Sequence, residues 1–164
     1  MFLTEFFGFF SLSALVMWGF LMAFFFNIFI YFLDIKRNTT LLLSSFIMMV
    51  SYSTSDYFFT WLSIGTSVYL DWALYDYATV AILVGSYFAL RKTTSSFLYI
   101  IIGLIINSIF SLLMHLDIYV YNNKDSWLFW NIYSFTVNII DLLMIVALIV
   151  DRDFLGLHKI KNKI

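Results

Sequence analysis

Residues 96–120 read SFLYIIIGLIINSIFSLLMHLDIYV, a run with no Lys or Arg in which Asp117 is the one acid. About 20 apolar residues in a helix cross a hydrocarbon layer of ~30 Å, so this stretch has the length and composition of a membrane span. Lipid offers the backbone no hydrogen bonds, and a segment of this kind has to satisfy its own amides as a helix. Working outward, four further stretches read the same way, near residues 6–33, 40–64, 68–90 and 127–150. The expected fold is an all-α, polytopic transmembrane bundle of five spans. A five-helix domain over 1–150 is followed by a short basic tail over 151–164.

Composition agrees. The chain is 63% hydrophobic and 12% charged, with a mean hydropathy of +0.94, outside the range of soluble globular domains. Its 20 Phe, 11 Tyr and 5 Trp suit a chain whose surface lies in hydrocarbon and at its interface. A net charge of −1 without a long basic run removes the electrostatic footprint that nucleic-acid binding needs. The absence of Cys excludes disulfides, thiolate metal sites and cysteine nucleophiles. The absence of Pro, with isolated glycines at Gly19, Gly85 and Gly103, predicts helices without the breaks that many transporters place at their substrate sites. No Lys or Arg precedes the first apolar run, so that run is expected to remain in the membrane and not to act as a cleaved secretory signal.

Orientation follows from the basic residues. Lys36 and Arg37 follow the first stretch, Arg91 and Lys92 the third, and Arg152, Lys159, Lys161 and Lys163 the fifth. The opposite loops hold only Lys124, while Trp61, Tyr69, Trp72, Tyr119, Tyr121, Trp127 and Trp130 gather at that boundary. The positive-inside bias and the aromatic belt both give an N-terminus outside and a C-terminus in the cytoplasm. Phe154, Leu157, Ile160 and Ile164 recur at roughly helical spacing among the basic residues of the tail. They fit either a short helix lying on the inner leaflet or a frayed stop signal. Short loops and this charge bias suggest a bacterial inner membrane.

Inside the spans the polar residues carry the information, because each needs a partner or a cavity. They fall in stripes: Gly19, Ala23 and Asn27; Tyr52, Asp56, Thr60 and Ser63; Asp76, Thr79 and Ser86; Gly103, Asn107, Ser111 and His115; Asn131, Ser134, Asn138 and Asp141. Spacings of three and four keep each stripe on one helix face, and the five faces are expected to point inward together. For the Ser, Thr, Asn and Gly positions the plain reading is close helix packing with interhelical hydrogen bonds, worth about 1 kcal/mol each.

The carboxylates ask for more, since an acid at the bilayer centre costs about 2.5–3.5 kcal/mol on insertion scales. Asp56 and Asp76 fall at a similar depth on neighbouring helices. Asp141 falls deeper, towards the cytoplasmic side. Asp71 and Asp117 are near enough to the outer ends to be hydrated. With no Lys or Arg inside a span, the acids are either protonated and hydrogen-bonded or bound to a cation. A proton or cation pathway through Asp56, Asp76, His115 and Asp141 is the sharper expectation. Asn27, Tyr52, Asn107 and Asn138 would form its polar surroundings, and Tyr52, Tyr57, Tyr75 and Tyr77 could line an aromatic pocket. One span His without a Glu-x-x-His or His-x-x-x-His spacing is a weak metal signal. No metal, cofactor or enzymatic activity is expected.

Two functions follow. The leading one is a non-enzymatic membrane subunit that self-assembles or binds another membrane protein, with the acids as protonated glue between helices. The other is a cation- or proton-conducting channel or transport component, with Asp56 and Asp76 in an outer vestibule and Asp141 as an inner station.

Overall fold

The computed structural model describes residues 12–35, 38–62, 67–123, 125 and 127–153. Side chains at 12–13 and 56–62 lie outside that description. Five helices run through the described residues: α1 (Leu12–Phe32), α2 (Thr39–Leu62), α3 (Val68–Leu90), α4 (Ser95–His115) and α5 (Leu128–Val150). No strand occurs among these residues. A π-helical turn, Leu116–Val120, prolongs α4. The stretches read from apolar runs therefore coincide with helices to within a few residues, except that residues 6–11, 63–64 and the whole tail from 154 fall outside the description.

Four of these segments, Ala14–Phe32, Val68–Leu90, Ser95–Val120 and Leu128–Val150, are long and apolar enough to cross a membrane. α2 has 24 residues, but Ser44, Ser45, Ser51, Ser53, Thr54 and Ser55 dilute its apolar character.

The helix ends are set by local chemistry. Ser67 caps α3 by accepting from the Leu70 amide at 3.2 Å, and Thr94 caps α4 by accepting from the Phe97 amide at 3.2 Å. Such caps satisfy amides that have no partner inside the helix. α3 and α5 stop where Arg91 (φ 51°) and Asp151 (φ 45°) turn left-handed. Asp151 then accepts from the Ser96 hydroxyl at 2.7 Å, and Asp153 from the Tyr99 hydroxyl at 2.9 Å. These bonds place carboxylates at the positive end of α4 and tie the foot of α5 to its start.

Short connections make successive helices antiparallel neighbours. Each packs on the next, α5 returns to α1, and α4 also touches α2 across the ring. Glycines allow two of these approaches. A Cβ on Gly19 would lie 2.5 Å from Ile145 Cδ1, and one on Gly103 would lie 2.5 Å from Met144 Sδ. The stripe on α1 behaves as its spacing predicts: Ala23 is buried and the Asn27 amide donates to the Leu148 carbonyl at 3.2 Å.

The interior divides along the bundle axis. Towards the end where α1, α3 and α5 finish, Phe20, Met48, Leu83, Ile100, Leu104 and Leu148 form a fully buried apolar plug. That end carries Arg91, Lys92 and Arg152 and is called the basic end below. Towards the opposite, aromatic end, with Tyr69, Trp72, Tyr119 and Trp127, the interior opens into a cavity.

Candidate functional site

The cavity has a volume of about 450 Å³ and takes side chains from all five helices. Its polar wall takes Ser51, Tyr52 and Ser55 from α2, Tyr75 and Asp76 from α3, Asn107 and Ser111 from α4, and Tyr133, Ser134, Asn138 and Asp141 from α5. Val16, Met17, Trp72 and Val137 supply apolar and aromatic surface. Among the described residues the wall contains two carboxylates and no Lys, Arg or His.

Asp141 is the better held of the two acids. It is 6% exposed, and its Oδ1 accepts from the Tyr52 hydroxyl at 2.6 Å and the Asn107 amide at 2.7 Å. Tyr52 is itself fixed by Phe20, whose ring centroid is 4.2 Å away. Among the described residues nothing donates to Asp141 Oδ2, and the buried Asn107 Oδ1 has no partner. Asp76 is half-buried on the cavity wall. No described residue donates a hydrogen bond to its carboxylate. Two carboxylates from two helices thus meet one cavity with bonding capacity to spare, while Asn107 Oδ1 is packed out of reach of it.

The structure assembles much of the set expected from sequence. Asp76, Asp141, Tyr52, Asn107 and Asn138 share the cavity. The Asn138 amide is turned back to the Ser134 carbonyl at 2.6 Å. Asp141, expected deeper than Asp76, lines the same cavity as Asp76. Asn27 lies away from the cavity, in the contact of α1 with α5. Asp56 belongs to the last turns of α2, outside the described side chains, as do Tyr57, Thr60 and Trp61. Tyr77 points outward and is 44% exposed.

His115 is not on the cavity wall. Its Nδ1 pairs with Ser67 Oγ at 2.5 Å and its ring stacks on Tyr119. Ser67 is buried and already caps α3, so this Ser–His pair fastens the start of α3 to the end of α4 and does not present a free hydroxyl. The same packing corrects the expectation for Asp71. It is 2% exposed and engaged by its neighbours, because the first turn of α3 is tucked against α4. Asp117 stays near the surface, where it accepts from Trp127 Nε1 at 2.9 Å and closes the α4–α5 connection.

Three members of the α5 stripe, Ser134, Asn138 and Asp141, line the cavity, and Asn131 does not. Asn131 faces outward, and the inward line runs Tyr133, Val137, Asp141, Met144 and Leu148. Tyr133 carries a signal that polarity alone passes over, since it lies two helical turns before Asp141 on the same face. The serines of α2 divide as well. Ser55 bonds back to the Tyr52 carbonyl at 3.0 Å, whereas Ser51 reaches Thr79 on α3 at 2.5 Å. Below the cavity the apolar plug fills the bundle interior, with Ser44 and Ser45 buried in the same half.

No family model, curated protein or solved structure matches the chain. Function is therefore argued from the cavity itself.

Proposed function

We propose that the chain is a five-span membrane protein, N-terminus outside and C-terminus in the cytoplasm, that takes a cation into its acidic cavity and catalyses no covalent reaction. The observation that carries this reading is the presence of Asp76 and Asp141 on one cavity wall that holds no cationic side chain among the described residues. Acids inside a membrane domain commonly mark cation or proton sites, and here a cation would complete the charge balance. α2 supports a fifth span by its length and by packing between α1 and α3. Arg91, Lys92 and Arg152 at one end support the orientation, and short loops with this bias fit a bacterial inner membrane. The plug favours a binding or alternating-access component over an open pore.

The test is cation and proton flux into proteoliposomes, comparing wild type with Asp76→Asn and Asp141→Asn. Flux or counterflow lost in the variants supports the reading. Its absence in wild type, at full incorporation and under an applied voltage, counts against transport.

A second reading, a subunit that pairs with itself or another membrane protein, is favoured by the outer face of α3. Ala81, Gly85 and Ala89 are exposed there at four-residue steps, and a Cβ on Gly85 would meet nothing within 4 Å. Small residues in such a line let helices approach closely in lipid. The mass of the protein in nanodiscs, before and after Gly85→Leu, tests this role.

A further inference from the structure

The geometry points to a protonated organic amine, an ammonium head on an apolar or aromatic body, as the cation that this cavity takes. The inference rests on the cation reading above and adds the class of ligand.

Volume argues first. A cavity of about 450 Å³ falls within the ~300–1,000 Å³ of small-molecule sites and far exceeds what a dehydrated metal ion fills. The wall argues second. Hard cations take about six to eight oxygens in a tight shell, and no group of three or more His, Cys, Asp or Glu suited to a metal occurs among the described residues. The surface instead alternates acceptors with Tyr52, Trp72, Tyr75 and Tyr133. Aromatic faces attract alkylammonium groups and also accept the hydrocarbon attached to them.

The acceptors argue third. An ammonium group has three N–H donors and no acceptor. Asp76 and Asp141 Oδ2 offer acceptors on two helices that no described residue fills. Tyr52 and the Asn107 amide hold Asp141 in place before any ligand arrives, which reduces the ordering cost of binding. An inorganic ion could use the same oxygens but would leave the aromatic surface without a role.

The test is calorimetric titration of the purified full-length protein in nanodiscs with butylammonium and 2-phenylethylammonium, each paired with its neutral alcohol, and with Na⁺ and K⁺. Saturable binding of the amines is expected, with 2-phenylethylammonium tighter than butylammonium. The alcohols should bind at least about tenfold more weakly, and Asp76→Asn should weaken amine binding by a similar factor. Asp76 accepts no hydrogen bond from a described residue, so this variant is expected to fold. Tyr75→Leu provides a second check and should weaken 2-phenylethylammonium more than butylammonium. Asp76-dependent binding of Na⁺ or K⁺ without amine binding would overturn this inference and leave the cation reading standing. Equal binding of amine and alcohol, indifferent to Asp76, would overturn both, as would no binding of any cation.

Discussion

The Tyr52 hydroxyl donates to Asp141 Oδ1 at 2.6 Å and so joins α2 to α5, two helices that are not neighbours in the ring. Asn107 adds a third helix to the same oxygen. Losing this bond should be costly because it is buried and its acceptor is an acid. Tyr52→Phe should lower stability by about 1–3 kcal/mol. In an Asp141→Leu background the same change should have a much smaller effect. Reversible unfolding in mixed micelles over the four proteins of this cycle measures the coupling.

The glycines predict a graded series. Gly103→Ala should cost about 1–3 kcal/mol, the usual range for overpacking, because its Cβ would lie 2.5 Å and 2.7 Å from Sδ and Cγ of Met144, a side chain only 1% exposed. Gly19→Ala should cost less, since the nearest atom is the terminal methyl of Ile145. Gly85→Ala meets open space and should be neutral or stabilising by up to about 1 kcal/mol through helix propensity. Unfolding midpoints of the three variants in one detergent check the order.

Phe20 is fully buried and backs the Tyr52 ring between cavity and plug. Phe20→Ala should destabilise the bundle by about 3–5 kcal/mol. By loosening Tyr52 it should also weaken amine binding in whatever fraction remains folded. Thermal unfolding and titration on the same preparation separate the two effects.

The orientation is testable because the chain has no native cysteine. Asp125→Cys, in the α4–α5 connection, should react with an impermeant maleimide on intact cells. Thr93→Cys, between α3 and α4, should react only after permeabilisation. The reverse pattern would invert the assignment.

Much of the fold was legible because helices long and apolar enough to cross a membrane are read from length and apolarity alone. The extents of α3, α4 and α5 follow from runs that Arg91, Asn122 and Asp151 interrupt. The site was legible in part. Asp76, Asn107 and Asp141 stand out as polar residues in apolar helices, and their convergence follows from one inward face per helix. On α5 the stripe placed Ser134, Asn138 and Asp141 on the cavity, but polarity alone could not add Tyr133 and Val137 to that face or remove Asn131 from it. Nor could it show that His115 is occupied by Ser67, or that Asp71 is buried, because both depend on how the start of α3 meets the end of α4. The plug was hidden for a different reason. Phe20, Met48 and Leu104 look like any other apolar residue until the helices are assembled.

The proposed cation site requires a cavity that is reached from the aromatic end and attracts cations. Ser111→Cys places one thiol on its wall in an otherwise cysteine-free chain. The rate of its modification by cationic and anionic methanethiosulfonates of similar size, added to either side of oriented proteoliposomes, is the measurement of choice. The cationic reagent should react at least about tenfold faster than the anionic one. It should do so only from the aromatic side, and Asp76→Asn should narrow the difference. Equal rates for the two reagents, reaction from the basic side, or an unreactive thiol in the folded protein would contradict the account.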